Sequence, residues 1–160
     1  MAVVSAVSLA IFSAILGALS AYLVRRRFDR VAATVKQFEF YHSDKMLAAR
    51  TLAWDYLTSE EFTNDPKPLE YYYAGPGIAK NNEYAAIIQV LYFWYLLSIL
   101  HENGEIVSKL ASKLLSYQYG HWKAGLKPLL DATARGKDQP ECLAIRDSDG
   151  KPGSMAWIEA

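Results

Sequence analysis

Residues 2–24 read AVVSAVSLAIFSAILGALSAYLV, a run of 23 positions without a charged side chain. As a helix rising about 1.5 Å per residue, this run would measure roughly 34 Å, enough to cross a hydrocarbon core of about 30 Å with some tilt. Its serine hydroxyls can bond back to the helix's own carbonyls, and Tyr22 suits a membrane interface. The run therefore predicts a transmembrane helix over residues 1–24.

The alternative for this run is a cleavable signal peptide, with Ala18-Leu19-Ser20 as a small-x-small cleavage site. A secretory signal carries basic residues before its apolar stretch, whereas in this sequence they follow it. We therefore favour an uncleaved span.

The charges outside the run predict its orientation. Residues 25–36 hold five basic side chains against one acidic, a local charge of +4, and residues 37–160 hold 12 basic and 16 acidic, a charge of −4. Because positive charge is enriched on the cytoplasmic side, we expect a protein of the bacterial inner membrane with its N-terminus outside and its C-terminal domain in the cytoplasm. The side chains expected at the lipid headgroups are Arg25, Arg26, Arg27 and Arg30.

One face of the predicted span carries only small side chains at helical spacing. Helices in lipid associate by close approach of their backbones, which small residues permit. We expect this face to dock against a membrane helix of another protein, although small residues are also common in spans generally. The face comprises Ala6, Ala10, Ser13, Ala14, Gly17, Ala18 and Ala21.

The rest of the sequence predicts helices, and no stretch alternates as a strand would. We expect an all-α fold in which one N-terminal transmembrane helix extends into a small cytoplasmic helical bundle. Residues 25–42 continue the first helix as a basic juxtamembrane extension, and residues 43–135 form the helical domain. Residues 136–160 are rich in turn formers and hold one possible short helix, around Trp157 and Ile158.

Within the domain, helix boundaries follow from caps and breakers. Ser43 is a cap residue before a helix that ends near Leu57. Separate fourth and fifth helices are expected over about 106–116 and 120–134, with Pro128 kinking or breaking the fifth.

The third helix, which Gly104 ends, contains the 17 uncharged residues YAAIIQVLYFWYLLSIL at 84–100. A second membrane span is one interpretation, but the length is at the lower limit for spanning. We favour the central helix of the bundle. Its consecutive aromatic residues point in four directions, so most are expected to fill the core and at least one to contact a partner subunit or lipid. These candidates are Tyr92, Phe93, Trp94 and Tyr95.

Motifs of catalysis, metal binding and cofactor binding are absent from the sequence. It has no phosphate loop, paired-cysteine motif, HExxH or GxSxG, and its single cysteine excludes a disulfide scaffold. We therefore expect no catalytic residue, metal or cofactor, no evident small-molecule substrate and no nucleic-acid partner. An enzyme with an unfamiliar site around His101, Glu102 and Glu105 stays open as an alternative.

Three segments between residues 38 and 134 resemble a bacterial family of single-pass, membrane-anchored helical proteins known only as a domain of unknown function. The shared features are an Arg-x-Leu-Ala-Trp helix, a glycine after the central helix, and a Trp followed by Leu and Pro. The resemblance implies one span and a compact helical domain, with no assigned activity. It is carried by Arg50, Leu52, Ala53, Trp54, Gly104, Trp122, Leu126 and Pro128.

These observations together favour a non-catalytic accessory, assembly or stabilising subunit of a larger integral membrane complex. A photosynthetic or respiratory energy-converting complex is one natural host, and the expected partners are integral membrane subunits and the lipid bilayer. The alternative from another class is a membrane-tethered adaptor or regulator that binds a soluble partner through exposed aromatic residues.

Overall fold

The computed structural model describes residues 2–66, 68, 81–133 and 155–159. Within these ranges it contains helices and no strand, so the all-α fold class is confirmed. Side chains are described throughout except at residues 2–11, 81, 156 and 159. The helices are α1 (Ala2–Tyr41), α2 (Asp44–Leu57), α3 (Glu60–Asn64), α4 (Asn81–Glu102), α5 (Ser108–Ala132) and α6 (Ala156–Glu159).

The first helix runs without interruption for 40 residues, through the boundary expected between the span and its extension. It ends at Tyr41, and Ser43 caps the next helix by accepting a hydrogen bond of 3.4 Å from the backbone N–H of Met46. The predicted start and end of α2 are both confirmed. A cap side chain accepts a hydrogen bond from one of the backbone N–H groups that are unpaired at every helix start. Because this bond joins residues close in sequence, the boundary could be predicted from the sequence.

Helix α4 forms the centre of the bundle. Val90, Leu91, Trp94 and Leu97 are each fully buried. Its most extensive contact is with α2, while Tyr92, on another side of the helix, is 53% exposed.

Among the described residues, one helix is long and apolar enough to cross a membrane, Asn82–Glu102, and 44% of its most apolar window is buried inside the protein. This is the central helix just described, and a soluble core helix has the same length and composition. This finding does not extend to the N-terminal run, whose side chains are described only from Phe12 onward. Its insertion in a membrane therefore stays a prediction.

The expectation of separate fourth and fifth helices is wrong. Helix α5 is one helix of 25 residues that continues through Gly120 and contains Pro128. Its buried positions keep helical spacing across the expected break, so packing holds the two halves in one helix. Pro128 is exposed, as is Ala124, whose carbonyl loses its helical partner and can bond to water instead. The buried positions are Ala111, Leu115, Tyr119, Trp122, Leu126, Leu129 and Leu130.

The described C-terminal residues pack back on the bundle. Met155 and Ile158 are fully buried, and the Ser112 hydroxyl donates a 2.8 Å hydrogen bond to the carbonyl of Ile158. The predicted short helix is therefore present as α6. The remainder of segment 136–160 lies outside the described residues.

Candidate functional site

The expected docking face lies on a part of α1 that no described residue covers. Ser13, Ala14, Gly17, Ala18 and Ala21 are all exposed, and a methyl group added at Gly17 would meet nothing within 4 Å. The side chains of Ala6 and Ala10 lie outside the described residues. The described side chains of this face are therefore exposed rather than packed in the core.

The four headgroup arginines divide into two groups. Arg25, Arg26 and Arg27 are exposed, as expected for a headgroup role, whereas Arg30 is half-buried. Its Nη2 donates a 2.8 Å hydrogen bond to the carbonyl of Ile106, in the loop between α4 and α5. Arg30 thus joins α1 to the domain.

A second contact lies one turn further along α1. The hydroxyl of Thr34, 1% exposed, accepts a 2.9 Å hydrogen bond from the backbone N–H of Val107 and donates one of 2.8 Å to the carbonyl of Arg30. Arg30 and Thr34 together clamp the α4–α5 loop against α1.

The four consecutive aromatic residues at 92–95 differ in burial. Phe93 and Trp94 are 2% and 0% exposed and belong to the core, while Tyr95 is half-buried. Tyr92 is 53% exposed. Of the four candidate partner contacts, Tyr92 is therefore the one best placed on the surface.

His101, Glu102 and Glu105, the residues of the alternative enzyme site, lie at or just after the C-terminal end of α4. The imidazole of His101 stacks on Trp157, with ring centroids 4.0 Å apart and planes 7° apart, and Glu102 and Glu105 are exposed. Burial lowers the pKa of His101 below its ordinary value, and the charge of Glu102 partly opposes this effect. No group of three or more His, Cys, Asp or Glu among the described residues could hold a metal ion.

A cleft of about 350 Å³ opens between α2 and α5. We call it the Arg50 cleft. Ligand pockets range from about 300 to 1,000 Å³, so its size falls within that range. The residues that characterise it are Tyr41, Arg50, Trp54, Asp55, Tyr117 and His121.

Two helical faces supply the walls of the Arg50 cleft. Arg50 and Trp54 are four residues apart on α2, and Tyr117 and His121 are four apart on α5, a spacing that places side chains on the same side of a helix. The rings of Trp54 and His121 stack across the helix interface, with centroids 3.9 Å apart and planes at 28°.

Gly125 is needed for the position of Trp54. A β-carbon built at Gly125 would lie 2.5 Å from Cζ3 of Trp54, closer than side chains tolerate. The indole therefore lies directly against the α5 backbone. It also contacts the ring of Trp122 edge-on, at 5.6 Å between centroids.

Arg50 is the most unusual group in the cleft. Its guanidinium carbon lies 4.0 Å from the centre of the Tyr41 ring, and its buried Nε has no hydrogen-bond partner among the described residues. A stacked guanidinium keeps its N–H edge free, and that edge recognises carboxylates.

Sequence reasoning missed the Arg50 cleft. The sequence indicates a packing role only for Arg50, Trp54 and Trp122. It gives no reason to connect Tyr117 and His121 with them. The available signal was two pairs at i, i+4 spacing, Arg50 with Trp54 and Tyr117 with His121, but spacing within one helix does not reveal which helix lies opposite.

The family resemblance stays a prediction, because no protein-family model, curated protein or solved structure matches this chain.

Proposed function

We propose that this chain is a single-pass protein of the bacterial inner membrane and a non-catalytic accessory or assembly subunit of a larger membrane complex. The observation that carries the proposal is the exposure of every described α1 side chain from Phe12 to Asp29. Large apolar side chains there include Phe12 at 61% and Phe28 at 70% exposed. Exposed apolar surface of this extent is typical of a protein interface or of contact with lipid.

The clamp formed by Arg30 and Thr34 supports a domain held close to the bilayer. Arg30 follows Val24, the last residue of the proposed span, by six positions, or roughly 9 Å along a helix. A domain fixed to Arg30 would therefore rest near the headgroup layer, and its distance from neighbouring subunits would be set by a rigid helix. This arrangement suits a subunit that stabilises a complex.

The direction of α4 supports a single span over two. Loop residues 106 and 107 contact α1 at positions 30 and 34, whereas Trp94 lies near Tyr41, with ring centroids 5.6 Å apart. Helix α4 thus runs antiparallel to the second half of α1. If residues 2–24 occupy the bilayer, α4 lies alongside the part of α1 that has already left it.

Purification from native membranes in mild detergent tests the proposal, with two variants of the full chain. Gly17→Ile adds bulk to the small-residue face, and Leu19→Phe adds bulk roughly on the opposite side of the same helix. We expect other integral membrane proteins to co-purify with the natural chain and with Leu19→Phe, and to be lost with Gly17→Ile. A monomer without membrane partners would contradict the proposal.

The proposed topology has its own test. A reporter fused after Ala160 is expected to give a cytoplasmic signal, and a periplasmic signal would favour two spans.

A further inference from the structure

We propose that the Arg50 cleft is a binding site for a small aromatic carboxylate, whose charge is held by Arg50 and whose ring lies among Trp54, His121 and Tyr117. The inference is independent of the proposed membrane role. Tyr41, at the base of the cleft, follows Val24 by 17 residues, or roughly 25 Å of helix, so the cleft would face the aqueous phase.

The charge preference follows from the surroundings of Arg50. Within the described chain no carboxylate forms an ion pair with it, and its Nε is buried without a partner. Partly buried cations are normally paired, because leaving water without a partner costs free energy. Since Nε itself is closed to solvent, a ligand carboxylate would bind the terminal N–H groups of the guanidinium and supply the missing negative charge.

The ring preference follows from the exposed aromatic surface at the cleft. Trp54 is only half-buried although it stacks on His121, and Tyr117 is 83% exposed. An aromatic ring favours another ring in an offset or edge-to-face arrangement, so these side chains suit a planar ligand better than a flexible one.

Asp55 limits the negative charge of a ligand that the cleft can bind. It is exposed and also lines the cleft, so a ligand with more than one negative charge would be repelled. The site therefore favours a monoanion over phosphate or a dicarboxylate.

Titration calorimetry on the full chain in mild detergent tests the inference with 2-naphthoate as the probe. Its matched controls are 2-naphthamide, which keeps the ring without the charge, and acetate, which keeps the charge without the ring. We expect saturable binding of 2-naphthoate, with 2-naphthamide roughly ten- to a hundredfold weaker, since the neutral amide cannot form a charge-paired hydrogen bond with Arg50. Acetate is expected not to bind.

Variants then test which side chains hold the ligand. Arg50→Gln is expected to weaken binding by a similar factor, whereas Lys45→Gln removes a charge from the same helix outside the cleft and is expected to leave affinity unchanged. Gly125→Ala displaces Trp54 without altering Arg50 and is expected to weaken binding as well. Asp55→Asn is expected to strengthen it, because a repelling charge is removed.

Three results would overturn the inference. They are no saturable binding of 2-naphthoate at millimolar concentration, equal binding of the acid and the amide, and natural affinity in Arg50→Gln. A circular dichroism spectrum of Arg50→Gln checks that it is folded, and if it is not, Arg50→Lys replaces it, with a smaller loss expected because lysine keeps the charge but not the planar fork.

Discussion

The indole Nε1 of Trp122 donates a 2.9 Å hydrogen bond to the phenol oxygen of Tyr41, joining two buried residues that are 81 positions apart. The same Tyr41 ring lies under the guanidinium of Arg50 and contacts Trp94 in the core. Tyr41 therefore links the end of α1, the centre of the bundle and the Arg50 cleft.

Replacing Tyr41 by Phe keeps the ring and removes the acceptor of the Trp122 indole. The buried N–H is then unpaired, which typically costs about 1–3 kcal/mol. We expect the free energy of unfolding, measured with denaturant in detergent, to fall by that amount. Tyr117→Phe is the matched control, since Tyr117 is 83% exposed, and its effect is expected within about 0.5 kcal/mol. Equal effects of the two variants would show that the hydrogen bond contributes nothing.

Two glycines of α5 provide a matched pair. At Gly120 an added β-carbon meets nothing within 4 Å, whereas at Gly125 it meets Cζ3 of Trp54 at 2.5 Å. Gly120→Ala is expected to stabilise the protein by about 0.5–1 kcal/mol, because alanine loses less backbone entropy in a helix. Gly125→Ala is expected to be less stable than Gly120→Ala by roughly 1–3 kcal/mol, as overpacking displaces Trp54.

Thermal unfolding and near-ultraviolet circular dichroism measure both variants. A Gly125→Ala protein as stable as Gly120→Ala, with an unchanged aromatic spectrum, would be evidence against close contact between Trp54 and α5.

Replacing Thr34 by Val tests the clamp between α1 and the domain. The N–H of Val107 loses its 2.9 Å acceptor in a site where Thr34 is 1% exposed, so we expect a loss of about 1–3 kcal/mol. Hydrogen exchange at the Val107 amide is expected to accelerate. Thr63→Val is the control, because Thr63 is exposed and its hydroxyl bonds only within its own turn, and the Val107 amide is expected to be unaffected there.

His101 predicts a pH dependence of stability. Burial lowers its pKa from the ordinary value of 6.5 in the folded protein, so below pH 6.5 the unfolded chain binds more protons than the folded one. Above pH 6.5, where His101 is neutral in both states, the full stability is present. It is lost as the pH falls from 6.5 towards the lower pKa that His101 has in the folded protein. We expect the free energy of unfolding to decrease from pH 7.5 to pH 5.5, and less steeply in His101→Gln. Identical slopes would contradict the assignment to His101.

The helix boundaries were predictable because they depend on neighbours in sequence. Ser43 caps α2 from within its own first turn, and Gly104 ends α4 with a φ of 65°, a conformation that favours glycine. The uncharged run of α4 likewise predicted one long helix that contributes to the core, and Val90, Leu91, Trp94 and Leu97 are fully buried.

Contacts between distant residues were not predictable in the same way. The continuity of α5 depends on packing along its buried face, which outweighs a proline on the exposed side. The hydrogen bond from Arg30 to the carbonyl of Ile106, 76 positions away, has no signal in the local sequence. The Arg50 cleft requires α2 and α5 to meet with Gly125 facing Trp54. Local patterns determine which residues form a helix and which side is apolar, but the choice of opposing helix depends on how side chains of different size fit together, and that was decided by the tertiary structure alone.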